Sequence, residues 1–236
     1  MTNKTLLLTG ASRGIGAATA RHFFAADNDV TQIVLLARAS DDFDQLIKEL
    51  EANNPHSKKV LPYQVDLADR DHLTNVIGDV LSHTGGVDIL VNNAGYTSPA
   101  ALQQIDHDDF ERTMSVNLYA PFLLVQELLR SGNHFDLIVN IASTAGLQGR
   151  AGWLTYSASK AALINMSEVM KDELKIYGTR VVCLAPGRCA TTLRSKLAPD
   201  EDPSTIMQPE QVAEIIDFMT TDTSRLIDSE RLVVRL

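Results

Sequence analysis

The chain has 236 residues, 44% of them hydrophobic and 22% charged, with 30 acidic against 21 basic side chains and a formal net charge of −9. Length and composition suit one domain spanning residues 1–236 that can bury a core. The acidic balance argues against nucleic acid or an anionic membrane as the main partner, so a phosphate-bearing ligand needs a local basic site.

No apolar run approaches the roughly 20 residues of a membrane span. Met1-Thr2-Asn3-Lys4 leads straight into an apolar run that ends in a glycine-rich turn, which is not a signal-peptide pattern. Cys183 and Cys189 match no metal spacing, and neither a metal site nor a disulfide framework is expected. These features read as a cytosolic protein.

In chain order, the first strand is predicted over Thr5–Thr9, and it runs through Gly10-Ala11-Ser12-Arg13-Gly14-Ile15-Gly16 into a helix over 14–26. A second strand, Gln32–Leu36, ends in Ala37-Arg38-Ala39 and precedes a helix over 41–53. Strand Val60–Val65 leads through Asp66-Leu67 to a helix over 69–83, and strand Val87–Val91 leads into Asn92-Asn93-Ala94-Gly95. A long helix is predicted over 107–131, then strand Leu137–Ile141, a helix over 155–177 and strand Val181–Leu184. A helix over 209–220 and a short strand, Leu232–Val234, close the pattern. Several strands are apolar without alternation, as strands covered on both faces are. Strands alternating with helices predict a single-domain, doubly wound parallel α/β sheet of about seven strands. The segment Ala190–Gln208, with Pro199, Pro203 and the acidic run Asp200-Glu201-Asp202, reads as a surface loop. It is either a lid over a pocket or an ordinary solvated loop.

Three features carry chemistry. Glycines between a first strand and a first helix let the backbone turn sharply and approach a diphosphate at the helix N-terminus. Tyr156 and Lys160 stand four apart on a predicted helix, so both lie on one face. A cation there favours the phenolate and is expected to draw the tyrosine down from its free value of about 10. Ser143 is placed to hold a carbonyl or alcohol oxygen against the phenol. Pro121 follows Asn117 by four residues and deprives its carbonyl of the usual donor, so a kink and a freed acceptor are expected there.

Thr9–Gly16, Asn92–Gly95, Asn117, Ser143, Tyr156/Lys160 and Pro186-Gly187 resemble, in order and spacing, the short-chain dehydrogenase/reductase family, in its single-domain branch. The resemblance covers essentially the whole chain and implies a Rossmann-like sheet, a nicotinamide cofactor and hydride transfer at a carbonyl or alcohol carbon. It implies Tyr156 as acid, Lys160 as its modulator and ribose ligand, Ser143 as carbonyl orienter, and Asn117 as the point where water relays protons. It further implies cofactor contacts from Gly10, Ser12, Arg13, Gly14, Ile15 and Gly16, from Asp66 and Leu67 beside the adenine, and from Asn93, Ala94 and Gly95. Pro186, Gly187 and Thr191 complete the nicotinamide side, while Asn92 is expected to be mainly structural. Asp66 as a helix N-cap is compatible with its adenine role.

Ala37 stands where NAD-preferring relatives carry Asp, and Arg38 and Arg13 suit a 2′-phosphate, which points to NADP(H). Tyr96, Leu147, Gln148, Trp153, Arg188 and Leu193 are expected to line the substrate pocket. Arg188 either faces an anionic group on the substrate or points outward to the acidic loop. The expected activity is reduction of a small-molecule ketone to a secondary alcohol. A 3-oxoacyl-carrier-protein reductase is the alternative enzyme, and an NADPH-binding sensor or scaffold the alternative of another class. Relatives pair through helices equivalent to 107–131 and 155–177 and through the last strand. The chain's end at Leu236, without a glycine-rich tail, favours a homodimer over a homotetramer.

Overall fold

The structure, a computed structural model, describes residues 3–227 and 231–236. Strand β1 (Lys4–Thr9) shows why its sequence lacks alternation: Leu6 and Leu8 enter the core on one face of the sheet and Leu7 the core on the other, all fully buried. Around it lie β2 (Val30–Ala37), β3 (Lys59–Gln64), β4 (Ile89–Asn92), β5 (Leu137–Ile141), β6 (Arg180–Pro186) and β7 (Arg231–Val234). All neighbours pair in parallel, in the order β3-β2-β1-β4-β5-β6-β7. The chain steps outward one way from β1 and the other way from β4. The crevice beyond the C-terminal ends of these two strands is where this architecture takes ligands.

Helices α1 (Gly14–Ala25), α2 (Asp41–Ala52) and α8 (Pro209–Phe218) cover one face, burying Phe23, Phe24, Phe43 and Ile216. The other face is covered by α3 (Arg70–Thr84), α5 (Ala120–Arg130) and α6 (Leu154–Leu174), with Leu73, Leu124, Leu128 and Leu174 in its core. Helix α2 begins at Ser40, whose hydroxyl accepts from the Phe43 N–H, and three aspartates in its first turn complement the helix dipole. Helix α3 is capped by Asp69, not Asp66, and ends at Gly85 in the left-handed region.

The long helix predicted over 107–131 is two helices, α4 (His107–Met114) and α5, joined by a π turn over Ser115–Tyr119. Pro121 lies in the first turn of α5, where its missing N–H is tolerated, and its ring crowds the carbonyl four residues back. The helical ladder is widened there, over Ser115–Tyr119. Within the predicted loop 190–208 a short helix forms, α7 (Thr192–Leu197), begun by the Thr191 hydroxyl accepting from the Arg194 N–H.

Candidate active site

The cleft lies over the C-terminal ends of β1, β4, β5 and β6. At its first end two turns are stitched together. The Thr9 hydroxyl accepts from the N–H groups of Asn93 and Ala94 at 3.0 Å each, and the Asn93 amide donates to the Thr9 carbonyl at 2.9 Å. A Cβ on Gly10, whose φ is 68°, would sit 2.7 Å from the Ala94 Cα, and one on Gly16 would sit 2.1 Å from the Gly10 carbonyl oxygen. Only glycine permits that approach. The first N–H groups of α1 receive no side-chain cap from Arg13. That leaves donors and the positive end of the dipole for an anion, so the turn fits a dinucleotide diphosphate.

Arg13 and Arg38 are exposed at the cleft's edge, and Ala37 puts no carboxylate beside them. Asp66 and Leu67 line the same end. Burial pushes the Asp66 carboxyl up, but hydrogen bonds from Arg112 at 2.7 Å and from the Ala68 N–H, with the Arg112 charge, outweigh it and hold it below its ordinary value. Arg112 also lies 5.4 Å over the Tyr96 ring, whose hydroxyl donates to Asp109. Arg112 is invisible to sequence reasoning, because its partner is 46 residues away.

At the other end Ser143 follows β5, and its hydroxyl accepts from the Ala145 N–H to start a single 3₁₀ turn. That turn packs directly on α6: a Cβ on Gly146 would lie 2.7 Å from the Lys160 carbonyl carbon. The close approach puts Ser143 and Tyr156 on the same wall of the cleft, near enough for the serine to act on the phenol's proton affinity. Tyr156 and Lys160 are 7% and 3% exposed. The Lys160 ammonium donates to the Ile141 carbonyl at 2.7 Å and lies 6.0 Å from the centre of the Tyr156 ring. Asn117, fully buried behind the cleft, accepts from the Tyr96 N–H at 2.7 Å. Its amide donates to the Tyr96 carbonyl and the Ser159 hydroxyl, each at 2.9 Å.

The expected lowering of the tyrosine is not what this geometry produces. Burial holds the Tyr156 phenol above its ordinary value, against the Ser143 hydrogen bond and the Arg194 charge. Burial also pushes Lys160 down to about 8. The ammonium is aimed at a main-chain carbonyl and at the ring face, so desolvation wins.

Tyr96, Trp153, Arg188 and Leu193 line the cleft, together with Asn93, Ala94, Gly95, Pro186, Gly187 and Thr191. Leu147 and Gln148 do not. Leu147 is 39% exposed and borders a separate surface hollow with Gly146 and Ile164. The 3₁₀ turn that positions Ser143 carries the two residues past the cleft. Arg188 extends outward to Glu201 at 3.2 Å. Helix α7 closes over the cleft: Leu193 approaches Gly95, and a Cβ on Gly14 would meet Thr191 at 3.1 Å. Arg194 on this helix, also missed in the sequence, grips Glu201 through two nitrogens at 2.6 and 2.8 Å. Cys183 and Cys189 are buried free thiols, and among the described residues no helix is long and apolar enough to cross a membrane.

A family model described as short chain dehydrogenase matches residues 4–202. The 3-oxoacyl-[acyl-carrier-protein] reductase of Thermotoga maritima is 33% identical over 96% of this chain and 94% of its own length. A reductase of the same name from Synechocystis sp. is 34% identical over 94% and 91%. Among solved structures, a blue fluorescent protein from a metagenomic library in complex with NADPH superposes with a TM-score of 0.86 at 28% identity, covering 99% of this chain and 96% of that one. A short chain dehydrogenase from Burkholderia cenocepacia in complex with NADP gives the same four values. The family match runs from β1 past α7 and so spans every element that builds the cleft; the chain belongs to the short-chain dehydrogenase/reductase family.

Proposed function

We propose that this oxidoreductase reduces a ketone to a secondary alcohol with NADP(H). One observation carries the reading: Ser143, Tyr156 and Lys160 meet in the same cleft whose far end offers Arg13 and Arg38 and no acid at Ala37. When bound, the reduced nicotinamide supplies the hydride. The diphosphate is assigned to the Gly10–Gly16 turn, including Ser12 and Ile15, and the 2′-phosphate to Arg13 and Arg38. Asp66 and Leu67 are assigned to the adenine side, and Asn93, Ala94, Gly95, Pro186, Gly187 and Thr191 to the nicotinamide side.

Tyr156, held protonated by its burial, is the acid that gives its proton to the carbonyl oxygen, which Ser143 orients. Lys160 binds the ribose, and its ammonium stabilises the phenolate formed by that transfer. With a value of about 8 it is itself a proton donor in the neutral range. Asn117 acts by position, because its amide clamps both main-chain groups of Tyr96. Proton exchange with solvent is assigned to water at Asn117, within the widened turn. A homodimer, or a tetramer through β7, and a cytoplasmic location accompany this reading. Phe110, Tyr119, Leu154 and Val169 leave apolar area exposed on α4, α6 and the turn between α4 and α5.

A second enzymatic reading, reduction of 3-oxoacyl thioesters on a carrier protein, is favoured by the names of the curated relatives. A non-catalytic sensor has no need of the intact Ser143, Tyr156 and Lys160 cluster. Diketones, quinones and acyl thioesters followed by NADPH absorbance separate these readings. Tyr156→Phe is expected to lower turnover by about a thousandfold while NADPH still binds. Full activity in that variant refutes the acid, and equal or better efficiency with NADH refutes the cofactor.

A further inference from the structure

The ketone end of the cleft is strongly cationic in an acidic chain. Arg150, Arg188, Arg194 and Lys196 line it, whereas the only acid lining the whole cleft among the described residues is Asp66 at the far end. One carboxylate, that of Glu201, serves two of these cations. It takes Arg194 through both oxygens and shares Oε1 with Arg188 at 3.2 Å. Arg194 and Glu201 are each only 15% exposed, while Arg188 is 57% exposed. The guanidinium groups of Arg150 and Arg194 both lie over the ring of Trp153, at 5.4 and 5.6 Å, which fixes the Arg194 fork at the cleft wall. Its charge reaches Tyr156.

We propose that the ketone taken by this site carries an acid group, which Arg194 binds in exchange for Glu201 while Glu201 passes to Arg188. Glu201 holds the fork in the bidentate manner that a carboxylate or phosphate on a substrate would adopt. Stripping a carboxylate that is only partly exposed of its partner is normally costly because the charge is left unpaired. Here Arg188 already holds it from the solvent side, so the exchange strands no charge. Protonation does not release Arg194 near neutral pH, since the hydrogen bond and charge of Arg194 keep the Glu201 carboxyl below its ordinary value. A competing anion is what releases it. This inference names the substrate class of the ketone reduction proposed above and rests on that reading.

Trp153 is the chain's single tryptophan, so its fluorescence reports occupation of this end without turnover. The experiment titrates wild type, Arg194→Met and Glu201→Gln, each with NADP+ bound, with levulinate and with its methyl ester. The kcat/KM of both forms is measured alongside, using NADPH. Dihydroxyacetone phosphate against dihydroxyacetone tests a phosphate as the anion. In wild type the charged form of at least one pair is expected to be favoured about tenfold or more, in binding and in kcat/KM. Arg194→Met brings that ratio to about one, and Glu201→Gln, which removes the competitor, raises it several-fold. Equal ratios in wild type overturn the proposal. So does a parallel loss for charged and neutral forms in both variants, which marks the pair as a simple latch for α7. Anion-selective quenching of Trp153 without turnover of any ketone removes the reductase reading and leaves the anion site standing.

Discussion

At the dinucleotide end the cleft is backbone against backbone; at the ketone end it is side chain against side chain. Gly10 and Gly16 pack where any Cβ would collide with main chain, and the Thr9 and Asn93 hydrogen bonds leave that geometry no slack. Opposite them, Trp153, Arg194, Glu201 and Arg188 hold α7 through rings and ion pairs whose partners can be exchanged. On the proposed reading, the first arrangement would recognise a feature common to every dinucleotide. The second could be retuned one residue at a time without disturbing the sheet, which would make it the place where substrate choice is set.

The contrast breaks if Gly16→Ala is tolerated. Its Cβ would lie 2.1 Å from the Gly10 oxygen. The variant is therefore expected to lose about 4 kcal/mol of stability or more, and NADPH binding with it. Urea unfolding and NADPH titration check this. A smaller effect sits at the hinge between the two ends. Lys160 has a folded value of about 8 against an ordinary 10.5, so the unfolded chain binds more protons between these values. Its contribution to stability is present above the unfolded value and is lost as pH falls through about 8. Relative to Lys160→Met, wild type is then expected to gain up to about 3 kcal/mol as pH rises through that window. Parallel urea midpoints for the two proteins across it would show that burial of the ammonium is not felt.

Trp153→Ala sharpens the comparison from the other side. The KM for the ketone is expected to rise about tenfold, with NADPH affinity changed by less than about twofold, because the ring touches only the exchangeable end. Steady-state kinetics and NADPH titration decide it. The smallest effect is a control on glycine itself. Gly78 lies exposed within α3, and a Cβ there meets nothing within 4 Å. Gly78→Ala should stabilise by roughly 0.5–1 kcal/mol, read as a higher melting temperature.

The same division decides what could be read in the sequence. The strands were legible because covering both faces leaves uninterrupted apolar runs such as Thr5–Thr9. The glycine turn was legible because close backbone approach admits one residue type. Tyr156 and Lys160 were legible because helical spacing is a local rule. Contacts set by tertiary packing left no trace. Arg112 finds Asp66 from another element. Lys58 looks like a solvated loop lysine, yet it is buried, donating to the Phe23 carbonyl at 2.6 Å and to Asn28 at 2.8 Å. Burial pushes its ammonium down, against the charges of Asp217 and Asp27. Helix α7, six residues long among prolines and acids, is too short to show a period. The π turn preserves the helical pattern on both sides and so hides in it. The direction of the Tyr156 shift differs from the expectation because spacing tells which groups are near, not how dry they are.

The sheet's two edges carry one last consequence. Strand β3 is blunted: it carries Pro62, which has no N–H to offer a further strand, and the exposed Lys59. At the opposite margin β7 opens on the exposed Arg231 and continues through Leu232, Val233 and Val234 without proline, with Val233 45% exposed. A ribbon whose two margins differ in this way is disfavoured from growing edge to edge into a fibre. Lateral pairing through β7 would consume that margin of both copies and end there, as a closed two-fold pair.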